Sequence, residues 1–455
     1  MYGRIGEASA LLLALGALGL GASGHLQAWL HISPPAAVTL AVLVMAAVLW
    51  VSELVPLFVT SFLILFLNVV WVRSSLEAEG QAVSAAAFTS PFFSDVILLF
   101  LGGFVLSAAF HRYGLDERIA RTVLEKTGGA PSRVLAGVML TTAFLSMWMS
   151  NTATTAMMLG LTGPIIARIE ASDPFRKALA LGIPFAANLG GLGTPIGTPP
   201  NAIAVQFMSE SGIAPSFATW MAMAAPMLII LLALAWILLM RLHPARAEAV
   251  SMPEGSGFDI DRRGVGVLAV ALLTIAGWLT SSLHGLSTGI VALLPVLVFF
   301  GLRLLDARDF RQLPWDVLIL AGGGLSLGRA AALTGLADAA ASLVPVDEGL
   351  FAVALGFGLV ASLMSTFMSN TATANLLIPV ALGLPAGLAS SVLCVVAFSC
   401  SVSMALPVTT PPNAMAFSSG NIVVRDMIAP GGLLTVAGIV AAVVSMAWWK
   451  LLGAV

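Results

Sequence analysis

Apolar segments about 20 residues long recur from one end of this chain to the other. Such a segment can cross the hydrocarbon core of a lipid bilayer as a single helix. The composition agrees, because 59% of the residues are hydrophobic and 9% are charged, whereas a soluble domain carries about 25% charged residues. The sequence therefore predicts an all-α polytopic membrane protein that is surrounded by lipid.

Eleven segments are expected to be membrane spans. They are residues 8–30, 36–52, 53–72, 93–112, 176–210, 218–241, 264–283, 287–303, 314–335, 386–418 and 428–452. The first segment is preceded by a single basic residue, Arg4, and more spans follow it, so we interpret it as a membrane helix and not as a signal peptide. Residues 115–128 alternate charges with Ile119, Val123 and Leu124, which is typical of an amphipathic helix at the membrane surface.

Several classes of function find no support. No basic patch is present, so nucleic acid is not an expected partner. "GLSTG" (285–289) and "GLSLG" (324–328) match a pattern of serine hydrolases, but that pattern needs a strand-turn-helix elbow and no segment has strand character. Cys394 and Cys400 lie six residues apart in one apolar segment, where a disulfide between them is not expected. We therefore do not expect an enzyme.

A polar patch occurs twice in this apolar chain. "MSNTATTAM" (149–157) and "MSNTATANL" (368–376) start 219 residues apart, in two long stretches at 132–169 and 347–384. The surroundings repeat as well. "SDVILLFLGGFVLSAAFHRYGLD" (94–116) aligns with "WDVLILAGGGLSLGRAAALTGLA" (315–337), and "GTPPNAIA" (197–204) aligns with "TTPPNAMA" (409–416). The chain is therefore expected to contain two related halves.

Each patch-bearing stretch is predicted to be a re-entrant helical hairpin that enters and leaves the membrane on the same side. Five spans then separate the two hairpins, and because five is odd the second half enters the membrane upside down. Transporters with such inverted-topology repeats hold their site near the membrane midplane, at the interface of the repeats and on discontinuous helices. With a cytoplasmic N-terminus, all of the 20 lysines and arginines except Arg73, Arg329 and Lys450 fall inside, as the positive-inside rule requires. This orientation places the C-terminus outside.

The patches contain hydroxyls, amides and free backbone groups but no ionisable side chain. A helix N-terminus attracts anions through its free N–H groups and dipole, and a helix C-terminus offers carbonyl groups to a cation such as sodium. Ser146 and Ser365 precede the patch serines by four residues, so they are expected to add oxygens on the same face of a helix. The adjacent prolines of "TPPN" break their helices, and two copies point to unwound segments that complete two sites.

Simpler interpretations exist for these features. Ser, Asn and Thr are favoured N-cap residues, and capping is expected here as well, although capping does not require six identical residues in two halves. A single proline pair would be read as an ordinary kink. Asp95 and Asp316 each begin an apolar helix, so an N-cap role is favoured for them over ion binding.

Paired S-N-T motifs on two hairpins, each followed by a T-P-P-N break, resemble the divalent anion/sodium symporter (DASS) family of carboxylate transporters, over nearly the whole chain. The resemblance implies eleven spans plus two hairpins, a homodimer in the plasma (inner) membrane, and an elevator mechanism in which a transport domain slides against a scaffold. The implied division is scaffold at 1–130, transport part at 131–242, cytoplasmic linker at 243–263, scaffold at 264–345 and transport part at 346–455.

The resemblance also implies the roles of the site residues. One sodium ion would be bound by Ser146, Ser150, Asn151 and Gly197, and a second by Ser365, Ser369, Asn370 and Thr409. The carboxylates of a small anionic substrate would meet Asn151, Thr152, Thr198, Pro199, Asn370, Thr371, Thr410 and Pro411. Thr409 departs from the family, in which a smaller residue is common. The expected function is sodium-coupled symport of C4 dicarboxylates; sulfate or citrate transport and sodium-independent exchange remain open.

Overall fold

The computed structural model describes residues 2–250 and 261–454, and every regular element in these residues is a helix. The helices of the first half are α1 (Tyr2–Ala22), α2 (His25–Leu30), α3 (Pro34–Ser52), α4 (Leu57–Leu67), α5 (Arg73–Ala78), α6 (Ala86–Thr89), α7 (Asp95–Arg112), α8 (Leu115–Thr127), α9 (Pro131–Ser146), α10 (Asn151–Arg168), α11 (Phe175–Gly191), α12 (Pro199–Glu210) and α13 (Phe217–Leu242). A π-helical turn, Asn68–Val72, joins α4 to α5, and a 3₁₀ turn, Ser90–Phe93, precedes α7.

The second half follows the same order of elements. Its helices are α14 (Arg262–Leu279), α15 (Ser281–His284), α16 (Thr288–Gly301), α17 (Ala307–Arg311), α18 (Trp315–Leu333), α19 (Leu336–Ala341), α20 (Leu350–Phe367), α21 (Asn370–Leu382), α22 (Ala386–Val402), α23 (Pro411–Ser418) and α24 (Val424–Leu451). The hairpin α9–α10, the broken pair α11–α12 and the long helix α13 correspond to α20–α21, α22–α23 and α24. The two related halves expected from the repeated sequence are therefore present in the fold.

Eight helical segments of the described residues are long and apolar enough to cross a membrane: Pro34–Ser52, Leu57–Ala78, Ala86–Arg112, Phe217–Leu242, Arg262–Leu279, Trp315–Leu333, Leu350–Phe367 and Val424–Leu451. Three shorter apolar helices add to them: Glu7–Ala22, Thr288–Gly301 and Gly387–Val402. The all-α polytopic membrane fold is thus confirmed. Two boundaries differ from expectation, because the first span ends at Ala22 before a glycine turn and the segment 53–72 begins only after Pro56.

The two polar patches form the turns of helical hairpins. Ser150 and Ser369 are the N-caps of α10 and α21, and their hydroxyls accept from the N–H groups of Ala153 and Ala372. The expectation that Ser146 shares a helical face with Ser150 is wrong, because α9 ends at Ser146 and a turn separates the two serines. Ser365, near the end of α20, is separated from Ser369 in a similar way.

The two proline pairs begin helices. Pro199 and Pro411 are the first residues of α12 and α23, where a missing N–H costs nothing because the first turn of a helix has no carbonyl to bond. The unwound backbone before each pair is held by an asparagine amide. Asn201 Nδ2 donates to the carbonyls of Gly191 and Thr194 at 3.0 and 2.9 Å, and Asn413 Nδ2 donates to those of Met404 and Leu406 at 3.1 and 3.0 Å. The asparagine of T-P-P-N therefore stabilises the break itself.

The hairpins, the broken helices, α13 and α24 share most of the largest apolar core. Separate apolar clusters join α3, α4 and α18, and α7, α14 and α16. Trp449 of α24, buried in the largest core, and the exposed Trp448 donate their indole N–H groups to the carbonyls of Met223 and Ala222 in α13. The corresponding long helices of the two halves are therefore packed against each other.

Asp95 does not cap its own helix, so that expectation is wrong. Its carboxylate accepts from the hydroxyls of Ser287 and Thr288 and from the N–H of Gly289, at the N-terminus of α16. A carboxylate is favourable at a helix N-terminus because it balances the helix dipole. The expectation is wrong for Asp316 too, because it lies in the first turn of α18 without capping it and faces the cavity described below.

The expected linker 243–263 lies partly outside the described residues, which stop at 250 and resume at 261. Its first part is anchored. Asp173 accepts from the N–H groups of Phe175, Arg246 and Ala247, and the N–H of Val250 donates to the Gly129 carbonyl at 2.7 Å. Burial alone would raise the pKa of Asp173, but these three hydrogen bonds and the charge of Arg246 bring it below 3.8.

Candidate functional site

Both hairpin turns and both helix breaks face one cavity of about 1180 Å³. Twelve of the residues predicted for the site line it: Ser150, Asn151, Thr152, Gly197, Thr198, Pro199, Ser369, Asn370, Thr371, Thr409, Thr410 and Pro411. The other two, Ser146 and Ser365, are fully buried behind the turns. Residues that are far apart in sequence thus meet in one place, with one half-site from each half of the chain.

The first half-site is a cluster of oxygen atoms around the Asn151 amide. In one orientation of this amide, the Ser146 hydroxyl donates to its Oδ1 at 2.6 Å. In the other, Nδ2 donates to the carbonyls of Ala187 and Gly197, both at 3.2 Å. The same end of the side chain therefore touches a hydroxyl and two carbonyl oxygens.

This cluster has the chemistry that a sodium ion requires. With Oδ1 of Asn151 turned inward, four oxygens face one another, which is unfavourable for the protein alone and favourable when a hard cation lies among them. Gly191 and Gly197 permit the close approach, because a Cβ on Gly191 would lie 2.8 Å from Asn151 Oδ1 and one on Gly197 would lie 2.5 Å from the Gly191 carbonyl oxygen. The residues present therefore fit sodium.

The second half-site repeats the arrangement with one change. The Ser365 hydroxyl donates to Asn370 Oδ1 and lies 2.9 Å from the carbonyl oxygen of Cys400. Thr409 stands where the first half has Gly197, and its hydroxyl accepts from the N–H of Leu406 at 3.3 Å. The Thr409 hydroxyl is thereby bonded within its own 3₁₀ turn, Pro407–Thr409.

Groups that donate hydrogen bonds to an anion also line the cavity. The N–H groups of Asn151 and Thr152, and of Asn370 and Thr371, open the first turns of α10 and α21 and have no acceptor among the described residues. Helix N-termini of this kind bind anions. At the breaks, the prolines carry no N–H, so the donors there are threonine hydroxyls.

The electrostatics of the cavity wall are unusual for an anion site. Among the described residues that line it there is no lysine, arginine or histidine, whereas Glu53 and Asp316 contribute carboxylates. The charge of a bound anion must therefore be balanced by helix dipoles, hydrogen-bond donors and co-bound cations.

One residue at the site was not found from the sequence. Asn188 of α11 lines the cavity and is almost completely buried. Its Nδ2 donates to Thr410 Oγ1 at 3.2 Å and to Asn413 Oδ1 at 3.1 Å, so it joins the first half of the chain to the second. The available signal was a single amide in the apolar run "FAANLGG" (185–191), which no repeated motif marks.

A helical membrane protein whose two halves each supply a hairpin turn and a helix break to one polar cavity belongs to the class of secondary transporters. Comparison with known proteins places it further. Residues 47–392 match the citrate transporter family (CitMHS), and the chain belongs to that family. The resemblance to divalent anion/sodium symporters noted from the motifs is confirmed.

Named relatives agree with a transporter. The chain is 31% identical over 457 residues to the sodium-dependent dicarboxylate transporter SdcS of Staphylococcus saprophyticus, covering 91% of this chain and 86% of that protein. It is 32% identical over 347 residues to the inorganic phosphate transporter PHO87 of Saccharomyces cerevisiae, over 73% of this chain but only 37% of that protein. An uncharacterized transporter of Schizosaccharomyces pombe is matched over 49% of its length at 31% identity.

Solved structures share the fold at low sequence identity. The YdaH transporter of Alcanivorax borkumensis superposes with a TM-score of 0.57 at 14% identity, over 81% of this chain and 87% of that one. MtrF of Neisseria gonorrhoeae, described as one of a class of antimetabolite efflux pumps, superposes with a TM-score of 0.52 at 13% identity, over 79% of this chain and 82% of that one. These likenesses support the helical transporter architecture.

Proposed function

We propose that this transporter carries C4 dicarboxylate dianions such as succinate, malate and fumarate together with sodium. The observation that carries the proposal is the pair of oxygen clusters beside one cavity that offers hydrogen-bond donors and no cationic side chain. Two turns facing one cavity suit a short molecule with a carboxylate at each end. The name of the SdcS relative, a sodium-dependent dicarboxylate transporter, supports the same cargo.

The residues divide between ion and substrate. One sodium ion is assigned to the oxygens of Ser146, Ser150, Asn151 and Gly197, and the other to those of Ser365, Ser369, Asn370 and Thr409. The substrate carboxylates are assigned to the amides, hydroxyls and first-turn N–H groups of Asn151, Thr152, Thr198 and Pro199 on one side and Asn370, Thr371, Thr410 and Pro411 on the other. Because each asparagine serves both ligands, sodium and substrate strengthen each other's binding, and that coupling is reciprocal.

The movement is proposed to be an elevator motion within a homodimer. The transport parts are 131–242 and 346–455, and the scaffold parts are 1–130 and 264–345. The apolar core shared by the hairpins, the broken helices, α13 and α24 supports a body that moves as one unit. Where α18 meets this body, Gly324 and Gly328 give room to the side chains of Asn375 and Phe207.

The protein is proposed to lie in the plasma (inner) membrane with its N-terminus in the cytoplasm and its C-terminus outside. The distribution of lysine and arginine supports this orientation. In it, the loop between α13 and α14 is cytoplasmic, and the two hairpins enter from opposite sides.

Uptake by purified protein in liposomes tests the proposal. Labelled succinate should accumulate with sodium outside and should not accumulate with potassium. Raising the sodium concentration should lower the apparent KM for succinate uptake. Butyrate should compete poorly, because one half-site would be desolvated and left unpaired. Succinate uptake without any dependence on sodium would instead show a sodium-independent exchanger.

A different cargo in the same fold is favoured by two observations. The matched family is described as citrate transporters, and one relative is named an inorganic phosphate transporter. Citrate, phosphate and sulfate therefore belong in the same uptake panel. Uptake of one of them that excess succinate does not inhibit would refute the dicarboxylate assignment.

A further inference from the structure

The orientation of the Asn188 amide is fixed by the residues around it. Both N–H bonds of Asn413 Nδ2 are used by the carbonyls of Met404 and Leu406, which can only accept. Asn413 Oδ1 must therefore accept a hydrogen bond from elsewhere, and Asn188 is the group 3.1 Å away. The nitrogen of Asn188 thus faces the second helix break, with no freedom to exchange places with the oxygen.

This orientation decides what the Thr410 hydroxyl can do. Thr410 Oγ1 accepts from the N–H of Asn413 at 3.3 Å and from Asn188 Nδ2 at 3.2 Å. A hydroxyl has two acceptor lone pairs and one O–H donor, so both lone pairs are engaged and only the proton remains. Thr410 lines the cavity. Its hydroxyl is therefore held as a donor, which is the polarity that an anion needs.

The first half-site lacks this device. Thr198 corresponds to Thr410, yet its side chain accepts no capping hydrogen bond. Asn201 corresponds to Asn413, yet its Oδ1 is buried without a partner. The position related to Asn188 is Ser401, one residue after the carbonyl that bonds the hairpin serine, and Ser401 donates to the Ala397 carbonyl of its own helix. The repeated T-P-P-N motifs thus make different hydrogen bonds in the two halves.

We propose that Asn188 is a positioning residue that holds the Thr410 hydroxyl as a hydrogen-bond donor to one carboxylate of the substrate. The second half-site is then an anchor for the anion. Asn188 also follows Ala187, whose carbonyl belongs to the first oxygen cluster, so it links the first cation site to this anchor. The inference rests on the proposed function, because it takes Thr410 as a substrate contact.

A double-mutant cycle on succinate uptake tests the inference. Asn188→Leu should raise the apparent KM for succinate about tenfold or more, which is the effect of losing one hydrogen bond to a charged group. In the Thr410→Val background the same change should have a clearly smaller effect, because no hydroxyl is left to orient and only the bond to Asn413 is lost. Thr410→Ser should retain most of the parent affinity. Gln206→Leu is the matched control, since this buried amide bonds Glu210 and does not line the cavity.

The double-mutant cycle separates positioning from packing. If Asn188 merely fills space, the effects of Asn188→Leu and Thr410→Val multiply. That result overturns the inference while succinate uptake by the parent still supports the proposed function. If the parent carries another anion of the panel, the cycle is run with that anion. If the parent binds none of them, both proposals fail.

Discussion

The tight contact between Gly191 and Asn151 permits a sharp test of the first cation site. In Gly191→Ala, the added methyl group would lie 2.8 Å from Oδ1 and 3.0 Å from Nδ2 of Asn151. An ordinary contact begins near 3.4 Å, so the amide has to retreat by about 0.6 Å. Oxygens that share one cation do not tolerate such a shift, because the site must be held to about 0.5 Å.

The expected loss in sodium-binding free energy is that of one ligand to a charged group, about 1.5–3 kcal/mol. The sodium concentration for half-maximal uptake should therefore rise roughly 10- to 150-fold. Gly160→Ala on α10 of the same hairpin is the matched control, because its methyl group would meet nothing within 4 Å. Replacing a glycine inside a helix with alanine should stabilise the protein by about 0.5–1 kcal/mol. The two glycine-to-alanine changes are thus expected to act in opposite directions.

Sodium-dependent uptake at limiting succinate, together with thermal unfolding in detergent, measures both effects. Gly191→Ala should require far more sodium for half-maximal uptake, whereas Gly160→Ala should keep the parent sodium requirement and unfold at a slightly higher temperature. A parent-like sodium constant in a correctly folded Gly191→Ala protein would show that the oxygen cluster around Asn151 does not bind the transported cation.

Three other predictions address the paired site, the linker and the orientation. Asn151→Ala and Asn370→Ala should each reduce uptake at limiting succinate and sodium by roughly 10- to 150-fold, and a parent-like rate in either would refute a site built from both halves. Asp173→Asn should lower the free energy of unfolding by about 1–2 kcal/mol at pH 7. Because the pKa of Asp173 is lowered in the fold, the difference from the parent should be full above the unfolded-state pKa of about 3.9 and be lost as the pH falls through the lower folded-state pKa. A difference that does not change with pH would show that the negative charge of Asp173 is not what stabilises the loop. A cysteine at Leu283 should react with a membrane-impermeant maleimide from outside and one at Glu125 only from the cytoplasm, with reversed labelling contradicting the orientation.

The sequence was informative where a feature is local or repeated. The hairpin turns could be predicted because Ser150 and Ser369 cap helices by accepting from backbone N–H groups only three residues further along the chain. The helix breaks could be predicted because two adjacent prolines interrupt a helix in any context. Contacts between distant segments could not be predicted. Asp95 was read as a cap of its own helix, but its partner is the start of α16, almost 200 residues away. Asn188 was not predicted as a site residue for the same reason, since the atoms that accept its hydrogen bonds lie in the other half of the chain.

The two half-sites are copies in sequence but not in construction, and this difference has a functional consequence. The first depends on Gly191 and Gly197 to bring carbonyls close to the Asn151 amide, and it leaves Asn201 Oδ1 without a partner. In the second, Thr409 stands in place of Gly197, and the Asn413 amide oxygen accepts a hydrogen bond from Asn188. A buried polar group without a partner is costly, so the first half-site gains more from a ligand that reorganises it. In the second, Asn188 already orients the Thr410 hydroxyl as a donor. We therefore expect both half-sites to bind sodium and a carboxylate, with the larger rearrangement of hydrogen bonds in the first.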